Sequence, residues 1–557
     1  MTVGTQQDLP GLGPLAYGRK PSTLAEQFEN FDREHPWLYT ALEQLVSRRL
    51  ASGARRVGMK ALFETLRWRH PYGMKGLNNN YTAFYARQLL AAHPEWAPVI
   101  EVRRRRTPVA LYPLTRFRRL PRPALVARLP TFWSCSLPSR PIVLVVEPAD
   151  EVLRGYCLDS VAAAYDIVLI THSAPTWERR CIRDVEIADP ADEAALLAAG
   201  RALAARHTLD GVVTWSEWDL VNVARLAEHL GLRTNTPQVM RHCRNKAAQR
   251  ALFARHRVPS AKTMTAHTLL EAALAAETIG YPVVLKPAAY AASIGVSRAA
   301  RAEDLPGAFD FAQAGAELSR ESAAVLVEEC LEGPEVSVEC VTHRGTTRAV
   351  AVTRKTLSPA PYFEEIAHSV DANDPLLVQV GPVASSAVRA LGLTDGIQHV
   401  EMRLTDAGPR LVEVNARIAG DLIGQLVHLA TGVDLARAAA DIACGTTPDL
   451  TRTRRTAAGI RLLYPEVSGT LTARHLSEGF AAHTPWLRQV HWLREVGETL
   501  TLPPAGSMYS ARVGFFTVTG TSTRQVAQRT RLVLDQLTLT TTPNSQRSHL
   551  PEAGTRA

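Results

Sequence analysis

The sequence predicts an α/β protein with an extra, mainly α-helical N-terminal domain. Three observations carry this prediction. Residues 141–240 alternate apolar strands (PIVLVVEPAD, YDIVLITHS, DGVVTWSE) with helix-like stretches at 192–206 and 219–230, the pattern of a parallel sheet. From about residue 241 the strand-like pieces are spaced as in an α+β arrangement and culminate in a hairpin within 396–421. Residues 22–101 instead place Phe28, Phe31, Trp37, Leu38, Leu42 and Leu45 near helical spacing, followed by Leu62, Phe63, Leu66 and Trp68.

Taken in order, residues 1–20 and 541–557 are polar and expected to be disordered, and 21–130 form a basic accessory domain and linker. A loop, HPYGMKGLNNN, precedes the amphipathic stretch YTAFYARQLLAAHPEW; His70, Asn78, Asn79, Asn80 and Tyr81 fit loop, turn and cap roles there. Residues 141–240 form the parallel α/β domain. Residues 241–450 follow, with Lys246 opening a helix, Lys286 ending the strand YPVVLKPA, a helix at about 303–319 and strands at 335–342 and 347–353. Helical character returns at 423–444, broken at Thr431-Gly432-Val433-Asp434 with Asp434 as the cap. Residues 451–540 read as a small β-rich module with a final helix near 523–536.

Bulk properties narrow the function. At 557 residues the chain is long enough for about three or four domains. Its net charge of +9 is uneven: residues 1–140 hold 22 Lys/Arg against 9 Asp/Glu. Arg103–Arg106, Arg116, Arg118, Arg119, Arg122 and Arg128 concentrate that charge, as a solvated linker or as a docking strip for phosphates or an acidic peptide. No apolar run approaches the roughly 18–20 residues that span a membrane, and no signal-peptide pattern opens the chain. Seven scattered cysteines without a CxxC fit reduced thiols and a cytoplasmic location.

The hairpin carries the chemistry. Two strands, 399–404 and 410–415, flank a polar turn. Strand alternation puts His399, Glu401 and Arg403 on one face and Glu413 with Asn415 on one face, with Leu411, Val412 and Val414 as apolar cover. Facing carboxylates repel unless a cation lies between them. Two carboxylates and an amide are hard oxygen ligands that suit Mg²⁺, an ion that shares its shell with nucleotide phosphates.

Together with Lys246, Lys286 and VLVEECLEGPEVSVE, this hairpin resembles the ATP-grasp superfamily over about 141–540. The resemblance implies a parallel α/β domain preceding α+β ATP-binding subdomains, with ATP and Mg²⁺ (or Mn²⁺) as cofactors. It assigns Lys246 and Lys286 to the phosphates and the adenine side of ATP, and Glu328, Glu329 and Leu331 to the adenine edge. Glu335 matches the ribose-hydroxyl acceptor, and Glu401, Glu413 and Asn415 match the metal ligands. Arg417 matches the cation facing the reacting carboxylate and acyl phosphate. In the phosphate flap after Lys286, only Ser293 and Gly295 occupy the usual phosphate-facing positions; alanines stand where glycines are customary.

Two further segments resemble the biotin-carboxylase-like amino-acid (dipeptide) ligases of that superfamily: Asn415–Ile423 and Pro361–His368. By that resemblance Glu365 binds an amino group, His368 approaches the acyl phosphate or amine, and Gly420 and Asp421 line the substrate site. The implied activity is ATP-dependent amide formation between a small carboxylate and an amine, amino acids foremost. Two other readings stand beside it: a ligase acting on a peptide or carrier docked on the basic front, and a non-ligating nucleotide-binding protein associated with nucleic acid. A homodimer is the default oligomer. About 80 N-terminal residues (HPxxY…NNNYTxxYAR…HPEW) also resemble a small phage-associated domain, which implies no chemistry.

Overall fold

The computed structural model describes residues 28, 31–32, 37–51, 59, 62–63, 81–97, 99–100, 140–290, 293–319, 321–358 and 361–543. The expected disordered segment 1–20, the loop with His70 and Asn78–Asn80, the Arg-rich strip 103–128 and the last part of the tail, 544–557, lie outside them. The chain divides into two units, 1–132 and 133–557.

In the first unit, helices Trp37–Ala51 and Thr82–Ala92 contribute to one apolar cluster. Phe28, Phe31, Leu38, Leu42, Leu45, Leu62 and Phe63 are buried in it, as their spacing predicts. Tyr85 stacks edge-on against Phe28 at 5.0 Å, and its hydroxyl donates to Asp32 Oδ1 at 2.7 Å. A buried tyrosine needs such a partner, and this one fixes the second helix against the chain before the first.

The second unit opens with four parallel strands, β1 (Ile142–Val146), β2 (Asp166–Thr171), β3 (Ile182–Ile187) and β4 (Gly211–Val213), in the order β3-β2-β1-β4. The order reverses between β1 and β4, so the loops at their carboxyl ends diverge and leave a crevice. Helix Pro237–Arg244 follows, capped by Thr236 with Pro237 in its first turn; helix Lys246–Arg255 is capped by Asn245, whose side chain accepts from Ala248 N.

A second sheet holds β5 (Thr263–Ala266), β6 (Val283–Pro287), β7 (Ser297–Ala299) and β8 (Val325–Glu329), in the order β5-β8-β6-β7. Helices Leu269–Ile279 and Leu305–Glu317 cover one face of it.

The largest sheet has eight antiparallel strands in the order β13-β12-β9-β10-β11-β14-β18-β16. Its members are β9 (Glu335–His343), β10 (Thr346–Leu357), β11 (Glu365–Asp371), β12 (Gly396–Thr405), β13 (Gly408–Asn415), β14 (Ala457–Leu463), β16 (Leu487–Trp492) and β18 (Gly514–Gly520). The small strands β15 (Gly469–Leu476), β17 (Thr499–Leu500) and β19 (Leu537–Thr542) form a separate sheet. The expected boundary at 450/451 thus falls within one continuous sheet, because β14, β16 and β18 extend the strands that precede it. Residues 541–542 end a strand rather than belonging to a tail.

Alternation explains what this sheet does. Val336, Val338 and Cys340 of β9, Val400 and Met402 of β12, and Leu411 and Val414 of β13 share a core with helix Leu377–Ala390. The intervening residues of the same strands, Glu335, Ser337, Glu339, His399, Glu401, Glu413 and Asn415, therefore share the opposite, polar face. Helices Ile423–Thr431 and Leu435–Ala443 bury their apolar sides between this sheet and the first one. Thr431–Asp434 separates them, and the Asp434 side chain accepts from Arg437 N.

Candidate active site

The polar face of β9, β12 and β13, the inner face of the second sheet and the crevice beyond β1 and β4 enclose a cavity of about 590 Å³. Every expected site residue lines it except Gly295 and His368.

The hairpin register is set at its base. His399 pairs with Asn415 and Glu401 with Glu413, after which a bulge gives β13 one extra residue, Val412. A bulge turns a side chain out of alternation. Val412 accordingly lines the cavity, and the expectation that it adds to the apolar core with Leu411 and Val414 is corrected. β13 is an edge strand, and its edge is satisfied by side chains. Gln249 accepts from Val414 N (2.9 Å) and donates to Val414 O (2.9 Å), and Arg250 donates to Val412 O (2.7 Å). The helix that begins at Lys246 is thereby fixed beside Glu413. Lys246 Nζ lies 2.9 Å from Glu413 Oε1 and donates to Tyr290 O at 2.6 Å.

Deeper in the cavity, Glu328 receives Lys286 Nζ at 2.7 Å and Arg250 Nε at 2.8 Å. Burial penalises the Glu328 carboxylate, but the two cations outweigh it and bring its pKa down to about 2. Glu329 pairs with Arg410 at 2.8 Å. Both carboxylates are thus engaged by protein cations. Glu335 pairs with Arg403 at 2.9 Å, and the Arg403 guanidinium lies over the Phe363 ring at 5.3 Å.

Lys355 is the residue that sequence reasoning missed at the centre of this face. Its ammonium contacts Glu365, lies 2.7 Å from Glu401 Oε1 and 3.7 Å from Glu335 Oε1. Burial works against its charge, but the three carboxylates prevail and hold it protonated well above the ordinary lysine range. Burial likewise opposes ionisation of Glu401, yet Lys355 and His399 keep it ionised. Its only sequence signal was a lysine inside an apolar strand, AVAVTRKTL.

A second bulge shapes the end of the cavity near Glu365 and Asp421. Between β10 and β11, Lys355 pairs with His368 but Leu357 pairs with Glu365, so Ile366 is the extra residue. Residues three apart on a regular strand face opposite ways; here Glu365 Oε2 and His368 Nε2 come within 3.6 Å. His368 also meets Asp421 Oδ2 at 3.3 Å, so it stands behind the two carboxylates that face the cavity. Asp421 (φ 47°) and Leu422 (φ 59°) both adopt left-handed backbone, which directs Asp421 inward. Arg512 clamps it, with Nη1 at 2.7 Å from Oδ1 and Nη2 at 3.4 Å from Oδ2. Arg512 precedes β18 as an isolated arginine, and nothing in the sequence marked it.

Arg417 follows β13. Its Nε lies 2.6 Å from Glu217 Oε2 on the loop beyond β4, and Arg244 Nη1 lies 2.7 Å from Glu217 Oε1. After β6, Ser293 (φ 53°) donates to Phe363 O at 3.4 Å, and Tyr290 meets the Trp218 ring at 5.1 Å. Gly295 (φ 76°) sits where a Cβ would be 3.0 Å from Pro287 Cγ, so it shapes the flap rather than the cavity wall.

Two facing carboxylates and an amide form an all-oxygen donor set that fits Mg²⁺ or Mn²⁺. Lysines and arginines beside them suit phosphates. A parallel α/β domain, a small antiparallel sheet acting as a cover, and a large antiparallel sheet presenting this donor set define the ATP-grasp fold.

Residues 279–425 match the family model of the ATP-grasp domain, and the chain carries that domain. An uncharacterized protein, y4rH of Sinorhizobium fredii, is 31% identical over 323 residues, covering 58% of this chain and 66% of that one. Alanine–anticapsin ligase of Bacillus subtilis is 29% identical over 272 residues, covering 44% and 57%. The L-amino acid ligase of Bacillus licheniformis superposes with a TM-score of 0.61 at 21% identity, over 72% of this chain and 99% of that structure, a likeness of fold. The chain spans at most about two thirds of the length of the curated relatives it matches, and about a third of the human carnosine synthase 1. Among the described residues no helix is long and apolar enough to cross a membrane.

Proposed function

We propose that this chain is an ATP-dependent carboxylate–amine ligase that joins amino-acid substrates through an acyl phosphate and releases ADP and phosphate. The observation that carries the reading is the convergence, on one cavity, of a hard-oxygen metal site (Glu401, Glu413, Asn415) with cations suited to phosphates and carboxylates (Lys246, Lys286, Arg417). The similarity to alanine–anticapsin ligase supports amino acids as substrates. A cytoplasmic setting, with ATP and reduced thiols, accords with it.

A carboxylate resists attack by an amine because its charge repels the lone pair and oxide is a poor leaving group. Transfer of the γ-phosphoryl group to a carboxylate oxygen gives an acyl phosphate and ADP. The amine then attacks the acyl carbon, the amide forms, and phosphate leaves with the carboxylate oxygen that had been phosphorylated, while the protons shed by the ammonium pass to the departing phosphate and to solvent. Glu401, Glu413 and Asn415 would hold Mg²⁺, which would supply positive charge to the phosphates. Lys246 and Lys286 neutralise phosphoryl oxygens; burial works against the Lys286 charge, and Glu328 opposes that effect. The guanidinium of Arg417 holds the reacting carboxylate and its phosphorylated form. Glu365 receives the incoming ammonium, and His368, behind it, fixes Glu365 and Asp421 in position. The flap at Ser293, bonded to the substrate loop at Phe363, keeps water from the acyl phosphate.

The test is ADP release from Mg-ATP with pooled amino acids, for the intact chain and for Glu413→Ala. ADP that appears only with particular amino acids and is lost in the variant supports the ligase. Absence of ADP and of amide product with every pair, from folded protein that binds ATP, refutes it.

A further inference from the structure

The substrate end of the cavity holds a carboxyl group that the ligase chemistry leaves unused. Glu364 directly precedes β11, lines the cavity beside Glu365 and Asp421, and is 8% exposed. Its backbone is fixed in both directions: Glu364 N donates to Ser358 Oγ (3.2 Å) and Glu364 O accepts from Ser358 N (2.7 Å). Its side chain is treated differently. Among the described residues, no hydrogen bond or ion pair reaches the Glu364 carboxylate.

The neighbouring charges are already committed. Asp421 is clamped by Arg512, which also donates through Nε to Tyr464 Oη at 3.1 Å. Glu365 is held by Lys355, which it shares with Glu401 and Glu335. Glu364 is therefore the uncompensated acid of this end, and both flanking carboxylates, Glu365 and Asp421, add to its negative field while only Arg512 opposes it. Burial, followed by those neighbours, lifts its pKa to about 7. A buried carboxyl without a partner is costly, and a cation delivered to it recovers the loss. The amino acids expected here bring an α-carboxylate, which Arg417 takes, and an α-ammonium, which Glu365 takes. With Glu365 taken by the α-ammonium of the amine substrate, Glu364 is left to meet a further cation at the same end of the cavity.

We propose that Glu364 recognises a side-chain cation, so that one of the two substrates is a dibasic amino acid such as lysine, ornithine or arginine. The inference rests on the amino-acid ligase reading for its second substrate, but the binding it describes stands apart from catalysis. Phe363 and Tyr509, which also line the cavity, offer aromatic faces to the methylene stem of such a side chain.

Lysine and its neutral isostere norleucine separate charge recognition from size. Titration calorimetry of the full chain with a non-hydrolysable ATP analogue present should show L-lysine binding at least about tenfold more tightly than L-norleucine. Glu364→Gln should erase that preference while leaving norleucine affinity intact, which also certifies the fold. Glu364→Leu should reverse the preference. Equal or tighter norleucine binding to the wild type, an unchanged preference for lysine in Glu364→Gln, or no binding of either amino acid overturns the proposal. ADP release keeps the two readings apart. Turnover with neutral pairs and none with lysine, ornithine or arginine refutes the cation site and leaves the ligase standing. Selective lysine binding without ADP or amide from any pair removes the ligase and leaves the cation site.

Discussion

Arg417 Nε lies 2.6 Å from Glu217 Oε2, a contact between the end of the metal-bearing hairpin and the loop beyond β4. The other oxygen of Glu217 meets Arg244, so one buried carboxylate organises two arginines from different parts of the chain. Burial opposes its charge, but Arg417 and Arg244 keep its pKa below the ordinary value. Removing one member of such a set leaves buried charge without compensation. Glu217→Gln is expected to cost about 3–5 kcal/mol of stability in urea unfolding. At a temperature where the variant remains folded, kcat should fall about tenfold or more, because the Arg417 fork loses its fixed orientation. Unchanged stability and kcat would show that Glu217 does not position Arg417.

Lys355 offers a sharper test of the polar face. It is surrounded by Glu335, Glu365 and Glu401, and Lys355→Met would leave these carboxylates facing one another. The expected loss is about 3–5 kcal/mol, measured by chemical denaturation without divalent ions. Added Mg²⁺ should return part of that stability by pairing with Glu401, so the midpoint should rise more in the variant than in the wild type. Equal Mg²⁺ responses would argue that Lys355 and the metal site are independent.

In the proposed ligase, the Glu328 triad with Lys286 and Arg250 serves nucleotide binding rather than the reacting groups. Glu328→Gln frees two buried cations and lets Lys286 drift from its place. KM for ATP should rise about tenfold, the equivalent of roughly 1.4 kcal/mol, with a smaller change in kcat. A fall in kcat at constant KM would move Glu328 into the chemical step.

Gly295, expected to face phosphates, also has a packing reason to be glycine. At φ 76° a side chain is strained, and a Cβ would stand 3.0 Å from Pro287 Cγ and 3.2 Å from Gly315 Cα. Gly295→Ala should therefore cost about 1–2 kcal/mol through backbone conformation alone. It should also shift the flap that carries Ser293. Trp218, tilted against Tyr290 at 5.1 Å, provides the reading: its emission should change on nucleotide addition in the wild type and change less in the variant.

How much of this was legible in the sequence follows from the range of each interaction. The hairpin, the capped helix at Lys246 and the strand ending in Lys286 are local patterns, and period-two alternation placed Glu401, Glu413 and Asn415 on one face. The bulges at Val412 and Ile366 are register events between strands, so alternation within one strand misassigned Val412. Lys355 and Arg512 act through partners far along the chain, and a single lysine or arginine carries no mark of its partner. The sheet that continues across the expected boundary at residue 451 was hidden for the same reason, since β11 pairs with β14 across three helices and the β12–β13 hairpin.

Glu364 links stability to pH in a way that its neighbours do not. Its pKa rises from 4.5 to about 7, chiefly through burial, so the folded chain binds this proton more readily than the unfolded chain. The group therefore contributes stability that is fully present below about pH 4.5 and is lost as pH rises through about 7. The loss amounts to at most about 3 kcal/mol. Glutamine has no proton to lose, so the difference in stability between Glu364→Gln and the wild type should grow in favour of the variant between pH 5 and pH 7.5. Urea unfolding at both pH values gives the difference directly. Parallel pH dependence in the two proteins would mean that the Glu364 carboxylate is solvated in the folded chain, and the argument for an uncompensated acid in the cavity would fall with it.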